Sequence, residues 1–199
     1  MSKFLLKVLS VTHWTDTLFS FQIERPKDFK FKSGEFVMIG LPNSNKPILR
    51  AYSICSPCWD EKLEFYSIIV ENGPLTSKLK NIKIHDEIIL MSKSTGTLIL
   101  DALKPGKRLF LLSSGTGFAP FAALIREPET YEKFESIIIT HTCRMIAELS
   151  YSKSIIKECK NDELIKEFIN KKLSSYHSTT REDYIFNGRI TELISSHKL

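Results

Sequence analysis

The sequence lacks any apolar run near the ~18 residues that a membrane-spanning helix needs. That excludes a helical membrane protein and leaves no membrane partner expected. Its start, Met1-Ser2-Lys3-Phe4-Leu5-Leu6-Lys7, has too short an apolar stretch for a secretion signal. A cytoplasmic location is therefore expected. Cysteine is scarce, with four in 199 residues. Cys55 and Cys58 form a C-x-x-C, but it follows a strand and has no second pair at zinc spacing. Ordinary reduced thiols are the expectation for these two, and for Cys143 and Cys159. Internal repeats, low-complexity tracts and metal-ligand clusters are all missing. Charge of one sign is in slight excess only: 28 Lys and Arg against 23 Asp and Glu, a net of +5. The lysines are spread evenly, which argues against a nucleic-acid partner. The same excess favours an acidic partner or an anionic ligand through long-range steering.

What the sequence does contain changes character near its middle. The first half reads as six short strands. They cover residues 4–11, 17–24, 35–41, 48–55, 62–70 and 86–91. The segment Thr17-Leu18-Phe19-Ser20-Phe21-Gln22-Ile23-Glu24 alternates almost strictly, and Pro26 ends it. A turn-rich loop is expected over residues 42–47 and another over 56–61. Short strands without a long helix predict an antiparallel barrel or sandwich.

Within this half, Arg50-Ala51-Tyr52-Ser53 ends a strand. Alternation puts Arg50 and Tyr52 on one face and Ala51 and Ser53 on the other. A flat aromatic can cover an apolar ring, a guanidinium can fork onto phosphate, and a hydroxyl can bond a ring heteroatom. The set suits a flavin nucleotide, although an ordinary strand could carry the same four residues. One short helix interrupts the β pattern, over Gly73-Pro74-Leu75-Thr76-Ser77-Lys78-Leu79-Lys80-Asn81-Ile82. Leu75, Leu79 and Ile82 share a face, and Thr76 or Ser77 can cap the first turn. Its free N–H groups suit a phosphate, and a plain helical connector suits the residues equally.

After a hinge at Leu103-Lys104-Pro105-Gly106-Lys107 the pattern becomes α/β. Residues 108–113 read as a buried parallel strand. Gly115-Thr116-Gly117-Phe118-Ala119-Pro120 follows and leads into a helix over 121–126. A glycine pair between strand and helix lets a pyrophosphate approach the backbone. The third glycine of the common dinucleotide fingerprint is missing, so a standard Rossmann dehydrogenase is not the best match. A second buried strand covers residues 136–141. Its end carries Thr142-Cys143-Arg144 where an NAD site would place an acidic residue, so the cofactor reads as NADP. Helices are expected over 147–160 and 162–170, a strand over 173–179 and a last helix over 190–195. Arg144, Arg181 (in Thr180-Arg181-Glu182) and Arg189 (in Gly188-Arg189) each sit just past a strand end or at a helix start. A parallel sheet gathers such positions on one edge, where they could clamp a phosphate; three solvated surface arginines would read the same. His141, with no carboxylate or serine at supporting spacing, reads as structural.

Taken together and in this order, these motifs resemble the bacterial ferredoxin (flavodoxin)–NADP reductases along essentially the whole chain. The resemblance implies two domains. A FAD-binding antiparallel β-barrel would occupy residues 1–102. An α/β parallel-sheet NADP-binding domain, incomplete at its C-terminus, would occupy residues 103–199. In that family Tyr52 would stack on the isoalloxazine and Ser53 would bond near N5. Arg50, with the backbone of Pro74, Leu75, Thr76 and Ser77, would hold the pyrophosphate. Tyr66 would pack along the flavin. Gly115, Thr116, Gly117 and Cys143 would lie close to the cofactors, and Arg144, Thr180, Arg181 and Arg189 would take the 2′-phosphate. The implied reaction passes hydride between NADPH and FAD, then single electrons to ferredoxin or flavodoxin, with the enzyme acting as a monomer. Family members continue for several tens of residues beyond the last helix, so a chain ending at Leu199 is expected to hold FAD weakly and dock nicotinamide poorly. Two other outcomes are compatible with the same residues: an NADPH-dependent flavin or quinone reductase, and a non-catalytic FAD-binding module. A barrel that binds oligonucleotides is disfavoured because the strands lack interleaved aromatic and basic residues.

Overall fold

The computed structural model describes residues 2–42, 47–104 and 106–198. Most of the loop expected over 42–47, and Pro105 of the hinge, lie outside the described residues. The chain forms two compact units, Met1–Leu103 and Lys104–Leu199.

The first unit is a six-stranded antiparallel sheet. Its strands are β1 (Lys3–His13), β2 (Leu18–Glu24), β3 (Phe36–Gly40), β4 (Leu49–Ser53), β5 (Lys62–Ile68) and β6 (Glu87–Thr95). They lie in the order β4-β3-β6-β1-β2-β5. The two end strands meet through a bridge between Ile54 and Phe65, so the sheet curls into a barrel. Hydrophobic residues of these strands fill it. Phe19, Phe21, Ile23, Val37, Ile39, Leu63, Phe65, Ile88 and Leu90 are all buried. β1 serves both sides of the curl. Its first half pairs with β6 and its second half with β2, and a register shift between Val8 and Ser10 bends it from one to the other.

The loop after β4 is held by Arg25. Its guanidinium donates to the carbonyls of Phe29, Cys58 and Asp60 and lies 5.0 Å from the Phe31 ring centre. All four cysteines are free thiols. The short helix α1 spans only Thr76–Leu79, and its N-cap is Leu75 without a side-chain cap. The expected Thr76 cap does not form. The Thr76 hydroxyl instead turns back to the N–H and C=O of Val70, both at 3.2 Å, and ties the turn to the end of β5. The predicted apolar face is real: Leu75, Leu79 and Ile82 close the barrel core.

The second unit is a four-stranded parallel sheet of β7 (Arg108–Ser114), β8 (Ser136–Cys143), β9 (Leu173–Thr179) and β10 (Phe186–Asn187), in the order β10-β9-β8-β7. Its helices are α2 (Ala119–Leu124), α3 (Pro128–Lys133), α4 (Ser150–Asn161), α5 (Lys166–Lys172) and α6 (Ile190–Ser195). Pro120 sits in the first turn of α2, as expected. β7 differs from the buried strand expected: it stands at the edge of the sheet. Leu109 and Leu111 face the core, while Phe110 and Leu112 are 51% and 43% exposed. β8, with a neighbour on each side, buries Ile137 and Ile139 fully. The helix expected over 147–160 begins with a 3-10 turn at Ile146–Leu149 before α4. α3 and β10 escaped the sequence reading. Both are short, and α3 is pinned to the end of α2, where Tyr131 donates through its hydroxyl to the Ile125 carbonyl at 2.6 Å, six residues earlier.

Candidate functional site

In the first unit, β4 presents the Arg50–Ser53 motif. Tyr52 pairs with Val37 of β3 and Arg50 with Ile39, so the two share a face as alternation requires. Tyr52 packs half-buried at the margin of the core, edge-on to Phe65 at 6.3 Å. Its hydroxyl meets Ser67 Oγ at 3.1 Å across the closure of the barrel. Burial pushes its phenol up, with the Ser67 bond and the Arg50 charge pulling the other way. The aromatic ring is thus fixed at both ends before any ligand arrives. Arg50 is exposed and, among the described residues, donates to its neighbour's carbonyl, Leu49 O, at 2.9 Å. Ala51 is exposed and Ser53 half-buried. Tyr66, on β5, is 3% exposed and lies outside the hydrophobic core cluster, on the strand face opposite Phe65.

Pro74 and Leu75 line a small cavity of about 110 Å³ with Leu41, Pro42, Ile48 and Lys78. The turn before α1 therefore lies beside the start of the strand that carries Arg50. The bend at Gly73 leaves no room for a side chain. A Cβ there would stand 2.3 Å from Thr76 Oγ1 and 3.0 Å from Val70 O. Gly73→Ala is expected to break both Thr76 bonds and to cost about 1–3 kcal/mol, as overpacking does. Removing the hydroxyl as well, in Gly73→Ala with Thr76→Ala, should recover part of that loss. Chemical denaturation of Gly73→Ala, Thr76→Ala and the double variant tests this, and additive costs would refute the clash.

In the second unit, sheet order does the assembling. β10, β9 and β8 are adjacent and parallel, so their C-terminal ends lie in a row. Those ends carry Arg189, Arg181 and Arg144. The row continues beyond the strands through backbone bonds. Thr180 N–H donates to Cys143 O, Arg181 N–H to Arg144 O, each at 3.0 Å, and Gly188 N–H to Thr179 O at 2.8 Å. Arg144, Thr180, Arg181, Gly188, Arg189 and Glu192 line one cavity of about 690 Å³. All three arginines are exposed, and no ion pair joins them to a carboxylate among the described residues. Three uncompensated cations around one cavity fit a dianionic phosphate.

Three carboxylates missed by the sequence reading shape this edge. Glu148 Oε2 accepts from the backbone N–H of Arg144 at 2.7 Å and of Met145 at 3.1 Å. Glu182 accepts from Ile146 N–H at 2.6 Å. Glu192 accepts from Arg189 N–H at 3.2 Å. Each spends its charge on backbone donors of a turn that bears an arginine. A glutamate three residues after Arg189 at a helix start was a readable signal; Glu182, acting across 36 residues, left none.

β7 ends in the glycine turn. Gly115 takes a left-handed φ of +51° and opens a 3-10 turn at Gly115–Phe118. No atom lies within 4 Å of where a Cβ would stand on Gly115 or Gly117. The turn is therefore open to a ligand, and Thr116 is half-exposed between the two glycines. Cys143 is buried, its Sγ 3.2 Å from His141 Nε2, and burial pushes its thiol up to about 12. It lies within the sheet edge and is no surface thiolate. His141 is buried too. Nδ1 meets Ser152 Oγ at 2.7 Å and Nε2 meets the Gly115 carbonyl at 2.9 Å. The serine partner that spacing could not reveal is thus supplied by α4. Among the described residues no cluster of His, Cys, Asp or Glu could hold a metal ion.

Known proteins carry the same design. The family described as "Oxidoreductase FAD-binding domain" matches residues 5–109. The flavodoxin/ferredoxin–NADP reductase of Rhodobacter capsulatus is 57% identical over 96% of this chain and 72% of its own length. The ferredoxin–NADP reductase of Azotobacter vinelandii is 48% identical over 97% and 75%. Among solved structures, a ferredoxin NADP+ reductase from Neisseria gonorrhoeae with bound FAD and NADP superposes with a TM-score of 0.88 at 27% identity, covering 98% of this chain and 76% of that one.

Proposed function

We propose, for a chain that belongs to the ferredoxin/flavodoxin–NADP reductase family, that its two units divide one electron-transfer reaction between a flavin and a nicotinamide nucleotide. The chain is an FAD-dependent oxidoreductase working between NADPH and ferredoxin or flavodoxin. The observation that carries the nicotinamide half is the row of strand ends that brings Arg144, Arg181 and Arg189 around one cavity. Bound FAD and NADPH supply the hydride and one-electron chemistry, and the protein supplies position and charge.

In this reading Tyr52 covers a face of the flavin ring, with Ser53 beside it. Arg50 and the backbone from Pro74 to Ser77 hold the flavin's pyrophosphate. The open turn Gly115-Thr116-Gly117 admits the dinucleotide, and Arg144, Thr180, Arg181 and Arg189 hold its 2′-phosphate. The net charge of +5 supports an acidic electron carrier. A monomer acting in the cytoplasm, without nucleic acid or membrane, completes the proposal.

An absorption spectrum tests it. The purified chain supplied with FAD is expected to show a visible flavin band that bleaches anaerobically with NADPH and hardly with NADH. Ferredoxin or flavodoxin should then restore the band, the faster of the two being the carrier. A chain that takes up no flavin would overturn the proposal.

A further inference from the structure

The buried His141 and the half-buried His177 take no part in holding phosphate or flavin, yet they form a hydrogen-bond chain ending on the glycine turn. It runs from His177 Nε2 to Ser152 Oγ at 3.1 Å, from Ser152 Oγ to His141 Nδ1 at 2.7 Å, and from His141 Nε2 to Gly115 O at 2.9 Å. The ring of Phe118, in the same turn, lies 4.9 Å from the His141 ring and limits its rotation.

Counting protons settles the direction of this chain. A carbonyl only accepts, so the 2.9 Å bond to Gly115 O requires the His141 hydrogen on Nε2; the Cys143 thiol, 3.2 Å from that nitrogen, then has the Glu148 carbonyl as its acceptor at 3.7 Å. Burial pulls both histidines down to about 4, so each ring is neutral and has one N–H. His141 Nδ1 is then an acceptor and takes the Ser152 hydroxyl proton. That leaves Ser152 Oγ free to accept from His177 Nε2–H. Ser152 Oγ also lies 3.0 Å from Leu149 O, an acceptor competing for the same proton. One tautomer of each ring satisfies the chain.

The effect falls on the peptide between Gly115 and Thr116. In a planar trans peptide the C=O and the following N–H point in opposite directions. A Gly115 carbonyl drawn to His141 therefore aims the Thr116 N–H away from the His141 ring. Gly115 needs its left-handed φ to do this.

We propose that His141 is a positioning residue: its Nε2–H fixes the Gly115–Thr116 peptide so that the Thr116 N–H is preset as a donor to the dinucleotide, with Ser152 and His177 fixing the tautomer. This rests on the reading that the glycine turn lies at the nicotinamide nucleotide. Without the Nε2 donor the peptide is free to flip, which would turn the carbonyl oxygen toward an anionic ligand.

Two measurements on the FAD-loaded chain decide it. In imidazole nitrogen NMR His141 is expected as the Nε2–H tautomer; the Nδ1–H tautomer would overturn the proposal whatever any variant does. Calorimetry then compares NADP+ with 2′-phospho-AMP, which reaches the arginine cavity but lacks the pyrophosphate and nicotinamide. His141→Leu is expected to weaken NADP+ about tenfold, the size of one lost hydrogen bond with its orphaned carbonyl. It should leave 2′-phospho-AMP unchanged. His141→Gln, which keeps an amide donor, should recover most of the loss, and Ser152→Ala should show the same pattern more weakly. Equal NADP+ affinity in wild type and His141→Leu, or equal weakening of both ligands, would sink the role of His141. Failure of wild type to bind 2′-phospho-AMP would instead count against the function proposed above.

Discussion

Arg144→Ala is expected to raise the KM for NADPH roughly 10- to 100-fold, from about 1.5–3 kcal/mol for a charge-assisted bond. The KM for NADH should stay where it is, because NADH lacks the 2′-phosphate. The turnover number should change little in either case. A phosphate held equally in ground and transition states contributes uniform binding, which appears in KM alone. Arg181→Ala should behave alike, since its backbone N–H is bonded to Arg144 O and the two side chains line one cavity. Because they share that ligand, the double variant should lose less than the sum of the singles. Salt supplies an independent check: all three guanidiniums are exposed, so raising ionic strength should raise the NADPH KM and spare NADH. Steady-state kinetics with both nucleotides measures all of this. An unchanged NADPH-to-NADH preference in Arg144→Ala would remove the cavity from cofactor selection.

Glu148 gives a sharper contrast with the arginines. Its carboxylate caps the turn that carries Arg144 and does not point a charge-neutralising partner at the guanidinium. The arrangement reconciles acidic residues with a phosphate site: each spends its negative charge on backbone donors. A carboxylate paired with these arginines would neutralise them and repel a phosphate, but Glu148 and Glu182 bond backbone N–H groups instead. Only the hydrogen-bond directions show that they support the arginines.

The parts of the fold legible in advance are those fixed by local rules. The strands expected over residues 17–24, from their alternation, and over 62–70 form as β2 and β5, and their pairing puts Phe21 opposite Phe65. β9 and α6 fall where the sequence places them, at Leu173–Thr179 and Ile190–Ser195. The arginine row was legible because parallel topology turns three separate strand ends into one edge. What escaped depends on partners in other elements. β10 is two residues long and exists because Asn187 and Phe186 pair with Thr179 and Ser178. β7 reads as a buried strand from its apolar run, yet one of its faces is left uncovered, which composition does not encode, and alternate residues are exposed. Ser152 reaches His141 only because α4 packs over β8, so an 11-residue separation on two different elements carries no periodic signal.

Phe65→Ala should be the most destabilising single change in the first unit. Phe65 is 0% exposed and joins three features at once. Its ring lies 5.4 Å from Phe21, it supports Tyr52 edge-on at 6.3 Å, and its backbone forms the bridge to Ile54 where the barrel closes. Truncating a buried phenylalanine costs about 3–5 kcal/mol, including the cavity left behind. Domains of this size hold only about 5–15 kcal/mol in total. The midpoint of thermal unfolding should fall by roughly 15 °C or more. Flavin binding should weaken as well, because Tyr52 loses the surface that fixes its tilt while keeping its bond to Ser67. Phe65→Leu, which refills most of the space, should cost markedly less and keep flavin. Tyr52→Phe separates the two effects: it removes the Ser67 bond, worth about 1 kcal/mol, and leaves the ring supported. Denaturation of the flavin-free chain gives the stability, and quenching of FAD fluorescence gives the affinity. A Phe65→Ala variant that melts within a few degrees of wild type would show that the closure between β4 and β5 does not depend on this ring. If stability drops while flavin affinity holds, Tyr52 is set by its hydroxyl rather than by the phenylalanine beneath it.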